Sequence, residues 1–406
     1  MTDSSRHCRK IGVVLTGGGA KGAYQVGCLK ALRQAGYTNV AAISGTSVGA
    51  MNGMLLAAGK LDKAEEAWNA LRARDIVGFE PRKVFLFPLW ILAAIVSEFS
   101  LAKVLKISDS LLVPIRRLLA GMIVPTQAEE QPSWTWIALA LVGTLALLDD
   151  WSRRVFLGWI FTTNEPLATR LNALLSEDDV EAVQQSSIPV YATLSHHQPP
   201  AGWVPHYVRL DKLPRERVVD TLLQSAGFPG VFPTPKFWGR HAVDGGWTDN
   251  IPAAPLLFGP ESRVDLLFVI KVDKTVARPA RWKRLVTAAF GKLWGEASAR
   301  PASNPEDLIE WSRARWDAHS AHDPTQSPSV ADTADGPVQN PDTQAASSPL
   351  PRAFPRIVTV VPLHPLGSIL TGTFWFSRAK AKRLIELGEQ DMNAVLARAD
   401  SAVAPS

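Results

Sequence analysis

The sequence predicts an α/β protein: a three-layer αβα domain on a mostly parallel sheet, with an apolar helical insertion. Two observations carry that expectation. Short buried-strand runs, Ile11–Leu15, Val40–Ile43, Val264–Val272 and Arg356–Val361, alternate with stretches of helical periodicity such as Ala23–Leu32 and Ala50–Ala58. Glycine-rich text also sits at the strand ends rather than inside the strands, as strand-to-helix crossings require.

The first crossing is Thr16-Gly17-Gly18-Gly19-Ala20-Lys21-Gly22. Successive glycines after a strand expose backbone N–H groups that converge on an anion, and the dipole of the following helix adds positive potential. Such a loop serves as a phosphate cradle or an oxyanion hole. Gly17, Gly19 and Gly22 also satisfy G-x-G-x-x-G, but a dinucleotide site needs an acidic residue about 20 positions on. No Asp or Glu occurs between Asp3 and Asp62, and no phosphate-binding G-x-x-x-x-G-K-[ST] is present. The dinucleotide reading therefore fails. Lys21 either adds charge near the loop or is a solvated helix residue.

The second crossing, Gly45-Thr46-Ser47-Val48-Gly49, is a G-x-S-x-G between strand and helix. A serine on that sharp turn is pushed out of the backbone, with a helix N-terminus behind it. Gly45 and Gly49 remove the Cβ atoms that would clash as strand and helix close. Alone, the pattern also describes an ordinary small-residue turn. The third piece is His241-Ala242-Val243-Asp244-Gly245-Gly246, a carboxylate at a strand end followed by two glycines. By itself it too is only a turn. In the order glycine loop, serine elbow, Asp-Gly-Gly, the three read as a two-residue catalytic unit.

These blocks together resemble the signature of the patatin-like phospholipases. Ser225–Pro233 is similar to the stretch that precedes the family's Asp, Asp249-Asn250-Ile251-Pro252 to the stretch that follows it, and Phe376-Ser377 with Ala381–Gly388 to its closing helix. The resemblance covers residues 10–78, 161–275 and 356–395. It implies Ser47 as nucleophile, Asp244 as general base and Gly17, Gly18 and Gly19 as the oxyanion-hole loop, with Lys21, Gly22, Gly45, Gly49, Gly245 and Gly246 supporting. It implies hydrolysis of carboxylic esters of phospholipids or other acyl lipids through a Ser47 acyl-enzyme, with no cofactor and no metal. The alternative is a non-catalytic, membrane-associated lipid-binding or scaffold protein on the same fold.

The chemistry sets its own demands. A serine hydroxyl needs an adjacent base, and a carboxylate serves as one only where burial raises its pKa. Asp244 is thus expected in a poorly solvated cleft. A Ser-His-Asp triad would recruit a later histidine, His364 above all, since His319 and His322 lie in polar, core-poor text. Ser47 follows the first one or two strands, earlier than in that architecture, and the dyad is the preferred reading.

The domain plan has five parts: first catalytic segment 10–78, apolar insertion 79–160, second catalytic segment 161–275, largely disordered linker 276–355, and closing strand and helix 356–395. Within the linker, Ala318–Pro355 has almost no core formers and Trp282–Leu293 has amphipathic character. The insertion carries two apolar runs, Val84–Ala102 and Gln131–Leu148, with tryptophans in or beside them and Arg82, Lys83, Arg153 and Arg154 at the outer flanks. Ser47 and Asp244 must share one side of any membrane, so the runs cross twice, lie in the interface, or pack as core helices. The flanking cations place the catalytic part on the cytoplasmic face of a membrane, and Met1–Lys10 does not read as a signal peptide.

The formal charge of +5 suits an anionic lipid surface without requiring one, and no nucleic-acid reader is evident. Two cysteines, Cys8 and Cys28, provide no disulfide framework.

Overall fold

The computed structural model describes residues 6–76, 78–79, 162–198, 202–228, 232, 236–237, 240–259, 264–273, 310, 313, 354–367, 372–373 and 375–401. The chain divides into two compact units, residues 1–78 with 162–406, and residues 79–161. The apolar runs at 84–102 and 131–148, the amphipathic stretch at 282–293 and most of 318–355 lie outside the described residues. Among the described residues, no helix is long and apolar enough to cross a membrane.

The larger unit is a three-layer α/β domain around an eight-stranded sheet. In chain order its main elements are β1 (Ile11–Leu15), α1 (Gly22–Gln34), β2 (Val40–Thr46), α2 (Val48–Ala57), α3 (Leu61–Ala70), α4 (Glu165–Leu174), α5 (Glu177–Gln185), β3 (Val190–Gln198), β4 (Gly202–Arg209), α6 (Arg215–Ser225), β5 (Lys236–Phe237), β6 (Arg240–Asp244), α7 (Ala254–Phe258), β7 (Leu266–Ile270), β8 (Arg356–Val360) and α8 (Arg378–Ser401). The strand order is β8-β7-β1-β2-β3-β6-β5, with β4 paired to β3. The four pairings from β8 to β3 are parallel, and those involving β4, β5 and β6 are antiparallel.

Strand periodicity explains the layering. Ile11, Val13, Leu15, Ile43, Phe268 and Ile270 point to one face and pack with α1, α2, α3 and α8 in the larger core. The alternate residues Val14, Ala42, Leu267 and Val269 point to the other face, where Ile251 and α7 cover them. A sheet buried on both faces needs the near-continuous apolar runs that the sequence shows at 11–15 and 264–272.

One detail of pairing positions the site. β4 runs along residues 191–198 of β3, leaving β3 only one other edge. β2 occupies that edge in parallel, with Thr46 opposite Thr193. β6 occupies its continuation antiparallel, with Asp244 opposite Leu194. The two strands approach head-on along one edge, and their ends meet at consecutive positions of β3. Whatever leaves β2 and β6 at those points is brought together by the sheet itself.

Candidate active site

Ser47 and Asp244 are the residues at that meeting point. Ser47 has φ 54° and ψ −124°, a conformation that non-glycine residues rarely hold, and it caps the N-terminus of α2. The turn is tight enough that a Cβ on Gly45 would strike the backbone of Gly49 and Ala50, and one on Gly49 would strike the carbonyl of Leu15. Side chains at 45 and 49 are thereby excluded, as the spacing of the two glycines implies.

Neighbouring strands pin the elbow. The Ser47 N–H donates to Ser225 Oγ (2.9 Å), whose hydroxyl donates to the Thr193 carbonyl (2.7 Å). Thr46 Oγ1 donates to the Asp249 carbonyl (2.9 Å), and Ser44 Oγ donates to the Pro252 carbonyl. Residues 249–252 thus strap the end of β2. A strained backbone persists only where such contacts over-determine it.

Asp244 ends β6 and turns into a single 3-10 turn, Gly245–Trp247. Its Oδ1 accepts the Gly246 N–H (2.7 Å), and the Ser47 hydroxyl stands close enough to the carboxylate to favour its charged form. Burial pushes the Asp244 carboxyl up to about 6, against the opposing pull of the Gly246 N–H and the Ser47 hydroxyl. The poorly solvated cleft expected for a carboxylate base is present.

The glycine loop lies alongside. The Gly17 N–H donates to Asn250 Oδ1 (2.9 Å), and a Cβ on Gly17 would stand 3.3 Å from Ser47 Cβ. The three glycines are therefore not equivalent: Gly17 is anchored to the 249–252 strap, while Gly18 and Gly19 continue along the cavity wall. Lys21 is neither solvated nor on the cavity lining. It is buried in the turn after the loop, where it forms an ion pair with Asp273.

A cavity of about 330 Å³ opens from this corner. Gly17, Gly18, Gly19, Ser47, Asp244, Gly246 and Asn250 form its polar end. Most of the remaining wall is apolar, from Met51 and Leu55 of α2, Ala64, Ala67 and Trp68 of α3, Leu167, Leu171 and Leu174 of α4, and Phe228, Phe232 and Phe376. A buried polar chain stiffens one side: Trp68 Nε1 donates to Asn52 Oδ1 (3.0 Å), Asn52 Nδ2 to Gln25 Oε1 (2.9 Å), and Gln25 Nε2 to the Thr16 carbonyl (2.7 Å). It ties helices α1, α2 and α3 to the start of the glycine loop. His364 is exposed on the segment after β8 and does not line the cavity. Among the described residues, no group of His, Cys, Asp and Glu side chains could hold a metal ion.

The sequence model of the patatin-like phospholipases matches residues 13–257, more than half of the chain. The chain belongs to that family. A 49-residue stretch is 55% identical to lysophospholipase nte1 of Aspergillus terreus, covering 12% of this chain and 3% of that protein. Solved structures similar to it include VipD from Legionella pneumophila (14% identity, TM-score 0.35, 96% of this chain and 67% of that one). Human GIVD cytosolic phospholipase A2 is another (15% identity, TM-score 0.34, 96% of this chain and 59% of that one). The chain thus spans about two thirds or less of each of these neighbours, and a small fraction of the fungal protein.

Raising the Asp244 pKa has a cost for this patatin-like phospholipase. The folded protein holds the Asp244 proton up to about pH 6, whereas the ordinary carboxyl loses it near 3.8. Between those values the native state binds more protons than the unfolded one, so stability falls as pH rises through the window and levels off above it. The penalty above pH 6 is about 3 kcal/mol. Asp244→Asn is therefore expected to unfold at a higher temperature than wild type at pH 8, with the gain shrinking towards pH 4. Thermal unfolding followed by circular dichroism at the two pH values checks it; equal midpoints at pH 8 contradict it.

Proposed function

We propose that this protein hydrolyses carboxylic ester bonds of acyl lipids, with Ser47 as nucleophile and Asp244 as general base. The observation that carries the reading is the placement of Ser47, on a strained elbow, and the Asp244 carboxyl, poised near pH 6, together at the polar end of an apolar cavity.

Asp244 takes the hydroxyl proton as Ser47 Oγ attacks the ester carbonyl carbon. Negative charge develops on the carbonyl oxygen, and the N–H groups of Gly18 and Gly19 receive it. The Gly17 N–H is committed to Asn250, so its role is to hold the loop. The tetrahedral intermediate collapses, the alcohol leaves with the proton from Asp244, and an acyl-Ser47 ester remains. Water then attacks that ester while Asp244 accepts its proton. The second collapse releases the carboxylic acid and returns the proton to Ser47 Oγ. No metal and no cofactor is called for.

The apolar wall is the acyl-chain site. Each buried methylene contributes about 0.8 kcal/mol, roughly fourfold in kcat/KM. For a series of p-nitrophenyl esters of increasing chain length, kcat/KM is expected to climb by about that factor per methylene and then level off. Ala67→Phe, which fills part of the wall, brings the plateau to shorter chains while sparing the shortest ester. A flat series contradicts the apolar wall as the acyl-chain site, and no hydrolysis of any ester by wild type contradicts the reaction and favours the non-catalytic scaffold.

Turnover requires the Asp244 carboxylate, so kcat/KM is expected to fall as pH drops through about 6, with a single-proton slope on the acid side. Unchanged activity from pH 8 to pH 4.5 contradicts Asp244 as the base.

A further inference from the structure

We propose that the lip of this cavity is a docking surface for an anionic phospholipid bilayer, built from Trp375 and the basic start of α8. The inference rests on the lipid-hydrolase reading and adds where the protein meets its substrate phase. Trp375 is 66% exposed, although its neighbours Thr373 and Phe376 both line the cavity. Phe376 stacks on Trp68 inside, with ring centroids 6.3 Å apart. An indole is thereby left in water within one residue of the acyl-chain wall. Phe228, which lines the cavity, also reaches solvent and is 42% exposed.

Charge follows immediately. Arg378, Lys382 and Arg383 are exposed in the first two turns of α8, while Ala381, Leu384 and Ile385 of the same turns are buried in the core. The first turn contains no acidic residue. Cations there oppose the helix dipole, which favours Asp or Glu at an N-terminus. An external anionic surface offsets that opposition. Tryptophan favours the headgroup level of a bilayer, and basic side chains are drawn to anionic lipid beside it. An apolar anchor ringed by cations at the mouth of a lipid cavity complements such a bilayer. An acidic protein seated at the same lip would obstruct the entry of substrate.

The test uses the full chain in a Ser47→Ala background, so that binding is measured without hydrolysis. Sedimentation with phosphatidylcholine vesicles, with and without phosphatidylserine, is compared for that parent, for Trp375→Ala, and for the triple variant Arg378→Gln, Lys382→Gln, Arg383→Gln. The parent is expected to bind the anionic vesicles more tightly. Each basic side chain near the surface contributes about a factor of five, so the triple variant loses roughly a hundredfold on anionic vesicles and little on neutral ones. Trp375→Ala loses roughly tenfold on both. High salt weakens the parent and leaves the triple variant nearly unchanged. With Ser47 restored, both variants hydrolyse a short soluble ester at the wild-type rate, which shows that they fold. The proposal is overturned if the parent binds no vesicles, if it binds neutral and anionic vesicles equally, or if the triple variant binds like the parent; that last result assigns docking to another part of the chain. Loss of soluble-ester hydrolysis in wild type contradicts the reaction instead, and leaves the binding comparison intact.

Discussion

Ser47→Ala and Asp244→Asn are each expected to lower kcat for a soluble ester on the order of 10⁴-fold or more, with the fold retained. On the proposed mechanism Ser47 Oγ–H and the Asp244 carboxylate act as one proton-transfer pair, so either half is useless without the other. The double variant is therefore no slower than the worse single one, because residues acting as a unit are not additive. His364→Ala keeps wild-type kinetics, since that side chain is exposed and off the cavity lining. Steady-state rates of the four variants, with circular dichroism as the folding control, check the set. A folded His364→Ala as inactive as Ser47→Ala replaces the dyad with a triad.

The next largest effect is expected in the glycine loop. A Cβ on Gly18 would run into the Val272 side chain, so a valine at 18 must push the loop away from β7. The disturbance expected is this displacement of the loop by the Val272 contact. Shifting a donor away from the developing oxyanion costs about two to three orders of magnitude in kcat. Overpacking against one side chain costs about 1–3 kcal/mol of stability. Gly18→Val is thus expected to lose at least about a hundredfold in kcat while remaining folded at 25 °C. Wild-type kcat in the folded variant contradicts a role for this part of the loop.

The elements legible in the sequence are those written locally. Residues 45–49 announce a strand-to-helix elbow because sterics demand small residues at both ends, and contact with Leu15 and the Gly49–Ala50 backbone is what those glycines avoid. The buried strands 11–15 and 266–270 are legible as uninterrupted apolar runs. What holds the corner together is not local. Ser225 lies 178 residues from the Ser47 N–H it accepts, and Asn250 lies 233 residues from Gly17. A short polar side chain in a loop carries no mark of its distant partner. The buried chain Trp68–Asn52–Gln25 is silent for the same reason: each residue alone reads as an ordinary helix position. Lys21 misleads in the opposite way, since a lysine at a helix start suggests solvent until Asp273, after β7, is brought beside it. The meeting of β2 and β6 also depends on the antiparallel β4, which closes the other edge of β3 and does not appear in the strand pattern read from the sequence.

The most direct test of the central claim is to trap the acyl-enzyme. Brief incubation of the full chain with an activated ester, acid quench, and peptide mapping by mass spectrometry reads which side chain carries the acyl group. The account predicts one acyl group per chain, on Ser47. It also predicts that adduct formation slows as pH falls through about 6, and that Asp244→Asn acquires none on the same timescale. An acyl group on any other residue, or ester hydrolysis that persists in a folded Ser47→Ala protein, contradicts it.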